Sequence, residues 1–316
     1  MIRLRGIAKR FGERTVLDGL DLQVERGGIY GLLGPNGCGK STTINLVCGR
    51  LQADAGDIRI DGHPESLAGA GWLGVVTQES ALYPNLTCRQ NLDFFASVYG
   101  LDRASRRRRV DETLAEFGLQ PCAAQAAGEL SGGWRRRLHF AIAVVHQPRL
   151  LILDEPTASI DLAARHELWQ IIRRQRAAGT TVLLTTHHLD EAEQLCDRIG
   201  ILHQGRLLVE GSAPEIRARV PAEQVALLDA DDLEPLRARA SQLGLHYRDM
   251  GGRLGVLLPS SQSLADCAHR FEGLPLRSLA LSPVTLEHAY LQLVEAGRRG
   301  ATASATRPKP RPNASG

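Results

Sequence analysis

The chain has 316 residues, enough for one large domain and a smaller one, and its hydrophobic fraction of 43% allows a sizeable core, mostly aliphatic because aromatic residues make up only 4%. Its 38 basic and 35 acidic residues nearly balance, which argues against a protein that coats nucleic acid. Six scattered cysteines without C-x-x-C spacing predict reduced thiols in a cytosolic protein. No run approaches the roughly 20 apolar residues of a membrane helix, so we expect a soluble chain whose membrane role comes through a partner.

Up to about residue 219 the sequence predicts an α/β domain. Short, nearly all-apolar runs are typical of parallel strands buried on both faces, and helical stretches lie between them. The runs are residues 29–33, 72–76, 150–153 and 180–185. Residues 87–147 contain helical stretches and no good strand, which predicts a helical insertion. Two short apolar runs that flank Gln204-Gly205 predict a hairpin.

From residue 220 to about residue 298 the pattern changes to that of a small α+β unit. Strands are predicted at residues 225–228, 254–258 and 276–281, and helices at residues 233–243, 263–271 and 283–296. Residues 299–316 are Pro, Ala, Ser and basic residues without apolar positions for a core, so a disordered tail is expected.

The strongest motif is a phosphate loop that follows the apolar run 29–33. Residues 34–41 fit G-x-x-x-x-G-K-[ST], and a helix is predicted from Thr42 to Arg50. In this context Lys40 is expected to reach the β- and γ-phosphates of ATP and Ser41 to ligate Mg²⁺, which a chance Lys-Ser pair in a glycine-rich turn would not do. The expected nucleotide contacts are Gly34, Pro35, Asn36, Gly37, Cys38, Gly39, Lys40, Ser41 and Thr42.

A second motif is a pair of acidic residues at the end of the apolar run 150–153. Asp154 and Glu155 follow this run directly, and a carboxylate at the end of a parallel strand faces the ligand crevice. We expect Asp154 to hold the Mg²⁺ shell and Glu155 to orient and deprotonate the attacking water. The alternative is an acidic turn in which Pro156 ends the strand.

Further motifs, in order along the chain, give a resemblance to the ATP-binding subunits of ABC transporters over about residues 2–215. These are Phe11 before Gly12, Gln78 in V-V-T-Q-E, the signature segment Leu130–Gly133 (L-S-G-G), Asp161 in A-S-I-D and His187 in L-T-T-H-H. The resemblance implies a P-loop NTPase core with an antiparallel β subdomain and a helical insertion. It also implies a homodimer with two ATP molecules at its interface.

In such a head-to-tail dimer, each ATP would be held by the phosphate loop of one subunit and the signature segment of the other. Ser131, Gly132 and Gly133 open a predicted helix that runs to about Gln147, and its N-terminal N–H groups would form a site for the γ-phosphate. The loop at Asp161 would also lie at the nucleotide.

The resemblance assigns roles to three further side chains. His187 would hold the γ-phosphate and Glu155 in register, and Gln78 would contact Mg²⁺ and the attacking water. Phe11 would stack on adenine. The alternatives are an ordinary histidine at a strand end, a surface glutamine, and an aromatic residue that fills the core.

The signature segment departs from the family pattern at its fifth position, where Trp134 replaces Gln. Because one peripheral hydrogen bond is worth about 1 kcal/mol, we expect altered dimer kinetics rather than an inactive site. Arg135 and Arg136 are expected to face solvent, whereas Arg137 falls where many family members carry Arg. Cys38 is interpreted as a small residue chosen for fit in preference to a reactive thiol.

Residues 81–87 and 91–95 are similar to the branch of ATPases that pair with ABC-2-type exporters, and residues 282–290 to the regulatory extension of drug-resistance exporters in that branch. The resemblance implies a membrane-spanning permease partner and a peripheral location at the cytoplasmic face of the membrane. The rival interpretation is a soluble ABC-type ATPase acting on ribosomes or DNA. A single phosphate loop and a net charge of +3 disfavour it, and no nucleic acid partner is expected.

Overall fold

The computed structural model describes residues 1–64, 70–77, 81–158 and 160–294. The chain forms two compact units, one spanning Met1–Ser212 and a second that begins at Ala213. The domain limits placed at residues 219 and 298 stay predictions, and the tail expected to be disordered lies outside the described residues. Among the helices of the described part, none combines the length and apolarity needed to span a bilayer.

The first unit alternates strands and helices after an initial antiparallel pair. Its strands are β1 (Ile2–Phe11), β2 (Arg14–Val24), β3 (Ile29–Leu33), β4 (Ala55–Ile60), β5 (His63–Pro64), β6 (Leu73–Val76), β7 (Leu150–Asp154), β8 (Thr181–Thr186), β9 (Arg198–His203) and β10 (Arg206–Gly211). Its helices are α1 (Lys40–Val47), α2 (Cys88–Val98), α3 (Arg103–Glu116), α4 (Gly132–Val144), α5 (Leu162–Ala177) and α6 (Leu189–Leu195). Helices α2 to α4 occupy the stretch where a helical insertion is predicted.

The central sheet has the strand order β10-β9-β3-β8-β7-β6. Strands β6, β7, β8, β3 and β9 run parallel, and β10 joins β9 as the predicted antiparallel hairpin. Leu33 lies opposite Thr186, and Asp154 lies opposite Thr185, so the carboxyl ends of β3, β7 and β8 meet at one edge. This register brings the phosphate loop and the two acidic residues to the same place.

The central sheet is buried on both faces, as its apolar runs predict. Along β7, Leu151 and Leu153 pack into a core shared with α2, α4 and α5, whereas Leu150 and Ile152 pack into a second core on the opposite face. That second core includes Ile44 of α1 and apolar side chains of an antiparallel sheet with the order β2-β1-β4-β5. The antiparallel β subdomain therefore covers one face of the central sheet, and the helical insertion covers the other.

The second unit is an antiparallel sheet with helices. Its elements are α7 (Ala213–Arg217), β11 (Gln224–Asp229), α8 (Glu234–Gln242), β12 (Tyr247–Met250), β13 (Arg253–Leu258), α9 (Leu264–Arg270) and β14 (Ser278–Pro283), with helical backbone over 286–294. The strand order is β12-β13-β11-β14, and Leu228, Leu236 and Phe271 are fully buried in its core. The predicted α+β class is thus correct for this unit, but β12 is absent from the predicted strands.

Two helix boundaries differ from the sequence prediction for local backbone reasons. Helix α1 begins at Lys40, before the expected Thr42, because the left-handed Gly39 (φ 115°) directly precedes its first turn. Helix α4 ends at Val144, short of the expected Gln147, which itself adopts a left-handed conformation with φ 56°.

Candidate functional site

The phosphate loop closes around the side chain of Lys40. Lys40 Nζ donates hydrogen bonds to Gly34 O at 2.8 Å and Pro35 O at 3.2 Å, and the residue is only 5% exposed. The Gly205 amide donates to Cys38 O at 3.1 Å, which ties the loop to the β9–β10 hairpin. The Lys40 side chain is therefore buried against two backbone carbonyls of its own loop.

Two glycines of this loop are required by its geometry. A Cβ on Gly34 would lie 2.3 Å from Leu202 O and 2.6 Å from Cys38 Sγ. Gly39 adopts φ 115°, a conformation that L side chains rarely adopt. Burial raises the pKa of Cys38, which is 5% exposed, so the thiol is a packed small side chain as its interpretation from sequence proposes.

Asp154 and Ser41 face each other across the edge of the sheet. Ser41 Oγ lies 3.4 Å from Asp154 Oδ1, and Thr185 Oγ1 donates to the same carboxylate oxygen at 2.5 Å. Hydroxyl and carboxylate oxygens are the ligands that Mg²⁺ prefers. The donor set at this position thus fits a magnesium ion, with Thr185 as the residue that orients the carboxylate.

Glu155 occupies an unusual backbone conformation directly after β7. Its φ is 47°, in the left-handed region that non-glycine residues seldom enter. Its amide donates to Thr185 O at 3.0 Å, and its carboxylate Oε1 lies 3.4 Å from Lys40 Nζ and 3.3 Å from His187 Nδ1. The turn therefore directs the Glu155 carboxylate between the phosphate-loop lysine and the predicted histidine.

A cavity of about 420 Å³ opens beside these groups. The residues that line it come from β1, β2, the phosphate loop, the start of α1 and the turn after β7: Phe11, Arg14, Val16, Asn36, Gly37, Gly39, Lys40, Ser41, Thr42 and Glu155. Phe11 is 48% exposed there, so it does not fill the core. Arg14, which the sequence interpretation did not select, donates to Gly37 O at 3.4 Å.

The signature segment lies at the start of α4, and among the described residues it does not contribute to that cavity. Ser131 and Gly132 are exposed, and a Cβ added at Gly132 or Gly133 would meet nothing within 4 Å. Trp134 packs against the helical core, and the Arg137 guanidinium lies 4.9 Å from its ring centroid. The Trp that replaces Gln is therefore a packing residue, and the two glycines leave open space before the helix N-terminus.

The expectation that Arg136 faces solvent is wrong. Arg136 is 8% exposed, and within the described part of the chain it donates hydrogen bonds to the backbone carbonyls of Thr77, Glu155 and Pro156. Its position in a run of arginines resembles a solvated helix face, but α4 turns this side chain toward the strand ends. Arg135 is exposed as expected and donates to Leu130 O at 2.9 Å.

The remaining predicted site residues are resolved in part. Asp161 caps α5, since its carboxylate accepts from the Ala164 amide at 2.9 Å. Gln78 lies outside the described residues, as does Ser159 of the segment that precedes Asp161. The predicted roles of Gln78 and Asp161 at the nucleotide stay predictions.

Thr185 and Arg136 are residues that the motifs did not reveal as site residues. Thr185 appears in the sequence only as part of the L-T-T-H-H motif, and its partner becomes evident from the pairing of β7 with β8. The strand register is the signal that could have identified it, because a threonine opposite a carboxylate can donate to it.

Known proteins resemble both the sequence and the fold. Residues 17–158 match the family model described as ABC transporter. The daunorubicin resistance ATP-binding protein DrrA3 of Streptomyces coeruleorubidus is 36% identical, over 94% of this chain and 97% of that protein. The Nod factor export ATP-binding protein I of Ralstonia nicotianae is also 36% identical, over 93% of each chain.

A solved structure of the ATP-binding subunit of an ABC transporter superposes with a TM-score of 0.64 at 31% identity, covering 69% of this chain and 92% of that one. This likeness confirms the predicted P-loop NTPase fold. With relatives this similar along nearly its whole length, the chain belongs to the ABC transporter family and is one of its ATP-binding, ATP-hydrolysing subunits.

Proposed function

We propose that the chain binds Mg-ATP at the cavity beside the phosphate loop and hydrolyses it with Glu155 as the general base. The observation that carries this proposal is the convergence of Lys40, Asp154, Glu155 and His187 at one sheet edge. Lys40 is released from the Gly34 and Pro35 carbonyls when phosphate oxygens replace them.

The chemistry of hydrolysis then follows from the positions of these side chains. Glu155 accepts a proton from the attacking water, and His187 orients the γ-phosphate beside the same carboxylate. Ser41 and Asp154, with Gln78, would hold Mg²⁺, which when bound neutralises charge on the β- and γ-phosphates. The remaining phosphate-loop residues donate backbone N–H groups to the phosphates, and Phe11 stacks on the adenine ring.

The second half of the site is supplied by another copy of this chain. The signature segment presents exposed N–H groups at the start of α4 and open space at Gly132 and Gly133, but it lies apart from the phosphate-loop cavity of its own subunit. A head-to-tail homodimer places Ser131 and these glycines on the γ-phosphate held by the other subunit. Asp161 then lies at the same interface.

The work of the ATPase cycle is delivered to a membrane-spanning permease subunit. The relatives named for Nod factor export and daunorubicin resistance favour export as the direction and an ABC-2-type permease as the partner. We therefore propose that the chain is a peripheral subunit at the cytoplasmic face of the membrane. Nucleic acid is not a partner in this proposal.

The dimer is tested with the variant Glu155→Gln, which removes the base but keeps the shape of the side chain. We expect Glu155→Gln to lose nearly all steady-state hydrolysis and to form dimers in the presence of Mg-ATP, measured by light scattering after size exclusion. The control Glu112→Gln, an exposed carboxylate on α3, should hydrolyse ATP normally. A Glu155→Gln protein that stays monomeric with bound ATP would contradict the shared site.

The rival function, a soluble ATPase on ribosomes or DNA, is separated from transport by what co-purifies with the tagged chain. Transport predicts a polytopic membrane protein in detergent extracts. Ribosomal particles or DNA in its place would overturn the transport assignment.

A further inference from the structure

Arg136 is a buried cation that links separate parts of the first unit. It lies on α4, five residues after Ser131, and is 8% exposed. Its Nε donates to Pro156 O at 2.8 Å, and its two terminal nitrogens donate to Thr77 O at 3.0 Å and Glu155 O at 3.2 Å. The Arg136 guanidinium therefore joins α4, the signature helix, to the segments that follow β6 and β7.

A buried cation such as the Arg136 guanidinium requires negative charge nearby. Burial lowers the pKa of Arg136, and the carboxylates of Glu191 and Asp154 oppose this shift. Glu191 is fully buried, and its Oε1 accepts hydrogen bonds from Thr157 Oγ1 at 2.8 Å and Trp169 Nε1 at 3.1 Å. Arg136 and Glu191 thus fix three consecutive residues, 155–157, from two directions.

These contacts hold the turn that carries the proposed general base. Glu155 has φ 47°, a conformation that costs a non-glycine residue about 1–2 kcal/mol and persists only where the surroundings enforce it. Its amide donates to Thr185 O, and its carbonyl accepts from Arg136 and, at 3.2 Å, from the Ala158 amide of the same turn. The Ala158 bond moves with the turn, so Arg136 is the side chain that anchors the Glu155 carbonyl to the signature helix.

We propose that Arg136 is a positioning residue for ATP hydrolysis. From helix α4 it orients the Glu155 carboxylate by hydrogen bonding to the backbone of the turn that carries Glu155. The inference rests on the proposed role of Glu155. Because misplacing a reacting group by about 1 Å can cost a hundredfold in rate, loss of the Arg136 hydrogen bonds lowers kcat and leaves nucleotide binding largely intact. A purely structural Arg136 would instead change stability without acting through Glu155.

The first test compares Arg136→Gln and Arg136→Lys with the wild-type full-length chain. Arg136→Gln should lower kcat about ten- to a hundredfold, with KM and the affinity for a non-hydrolysable ATP analogue changed less than about threefold. Arg136→Lys keeps the charge but has one donor head in place of the planar fork, so an intermediate kcat is expected. Folding of each variant is checked by denaturant unfolding.

The matched control is Arg109→Gln. Arg109 lies on α3, is largely buried, and donates its Nε to the carbonyl of Val145 at 3.2 Å, at the other end of α4. Its loss removes an arginine–carbonyl bond to the same helix, away from the site. Arg109→Gln should therefore lower stability without changing kcat more than about twofold.

The decisive test is a double-mutant cycle with Glu155→Gln, read by single-turnover hydrolysis. If Arg136 acts through the Glu155 carboxylate, Arg136→Gln lowers the residual rate of Glu155→Gln by less than about twofold. An equal loss in both backgrounds, or an unchanged kcat in Arg136→Gln, would overturn the inference. If Arg136→Gln fails to fold, a wild-type kcat in folded Arg136→Lys overturns it. Failure of the proposed function is recognised separately, since Glu155→Gln would then hydrolyse ATP at the wild-type rate before any change at Arg136.

Discussion

Replacing Thr185 by Val should weaken the affinity for Mg²⁺, and so raise the Mg²⁺ concentration needed for hydrolysis, more than it weakens ATP binding. Both side chains are β-branched and close in size, and Thr185 is fully buried, so the main change is the loss of one hydroxyl. The hydroxyl donates to Asp154 Oδ1 at 2.5 Å, a bond to a charged acceptor worth about 1.5–3 kcal/mol. The Glu155 amide donates to Thr185 Oγ1 at 3.2 Å and to Thr185 O at 3.0 Å, and it keeps the bond to the carbonyl, so no second donor is orphaned.

The assay is ATP hydrolysis at fixed ATP over a range of Mg²⁺ concentrations. Since loss of a partner that orients a metal ligand costs about 10–100-fold in metal affinity or activity, the half-maximal Mg²⁺ concentration should rise by at least tenfold in Thr185→Val. Thr181→Val is the control on the same strand, because its hydroxyl accepts from the Gly27 amide at 3.0 Å, at the opposite end of β8. A Thr185→Val protein that is less stable but has the wild-type Mg²⁺ dependence would refute the reasoning.

Three further outcomes are expected. Gly34→Ala should destabilise the fold by more than about 2 kcal/mol in denaturant unfolding, because its Cβ would lie 2.3 Å from a backbone oxygen. Gly133→Ala places its Cβ in open space, so this variant should fold normally, but it should lose hydrolysis because the added methyl group blocks the phosphate of the other subunit. Burial raises the pKa of Cys88 to about 12, so Cys88 should not react with iodoacetamide at pH 8 before unfolding, as read by mass spectrometry. Burial lowers the pKa of His146 to about 4, so between about pH 6.5 and 4 the unfolded chain binds a proton at this histidine and the folded chain does not. The free energy of unfolding should therefore fall as the pH is lowered through that range, and it should fall less in His146→Phe.

The sequence predicts those parts of the site that depend on local order. The phosphate loop must follow a strand and lead into a helix, and Gly34 to Ser41 directly follow β3 and end in the first turn of α1. The acidic pair ends β7 as its apolar run predicts, and the Gln204-Gly205 hairpin lies between β9 and β10. In each case the residues that define the feature are neighbours in the chain, so their conformational preferences alone indicate it.

The parts that escaped prediction depend on residues distant in sequence. Arg136 lies between two exposed or half-buried arginines, and only the closure of α4 onto the ends of β6 and β7 reveals that it is buried. Thr185 is 31 residues from Asp154 and meets it through strand pairing. Strand β12, Tyr247–Met250, carries charged side chains, and its strand conformation comes from pairing with β13.

The left-handed backbone of Glu155 makes stability and activity compete at this position. Gly relieves the strain fully and Asn in part, whereas Glu keeps it in exchange for a carboxylate at the right place. A selection for thermal tolerance alone would therefore enrich Gly or Asn at residue 155, although each abolishes the proposed base. Engineering a more durable form of this ATPase should exclude this turn from the positions allowed to vary.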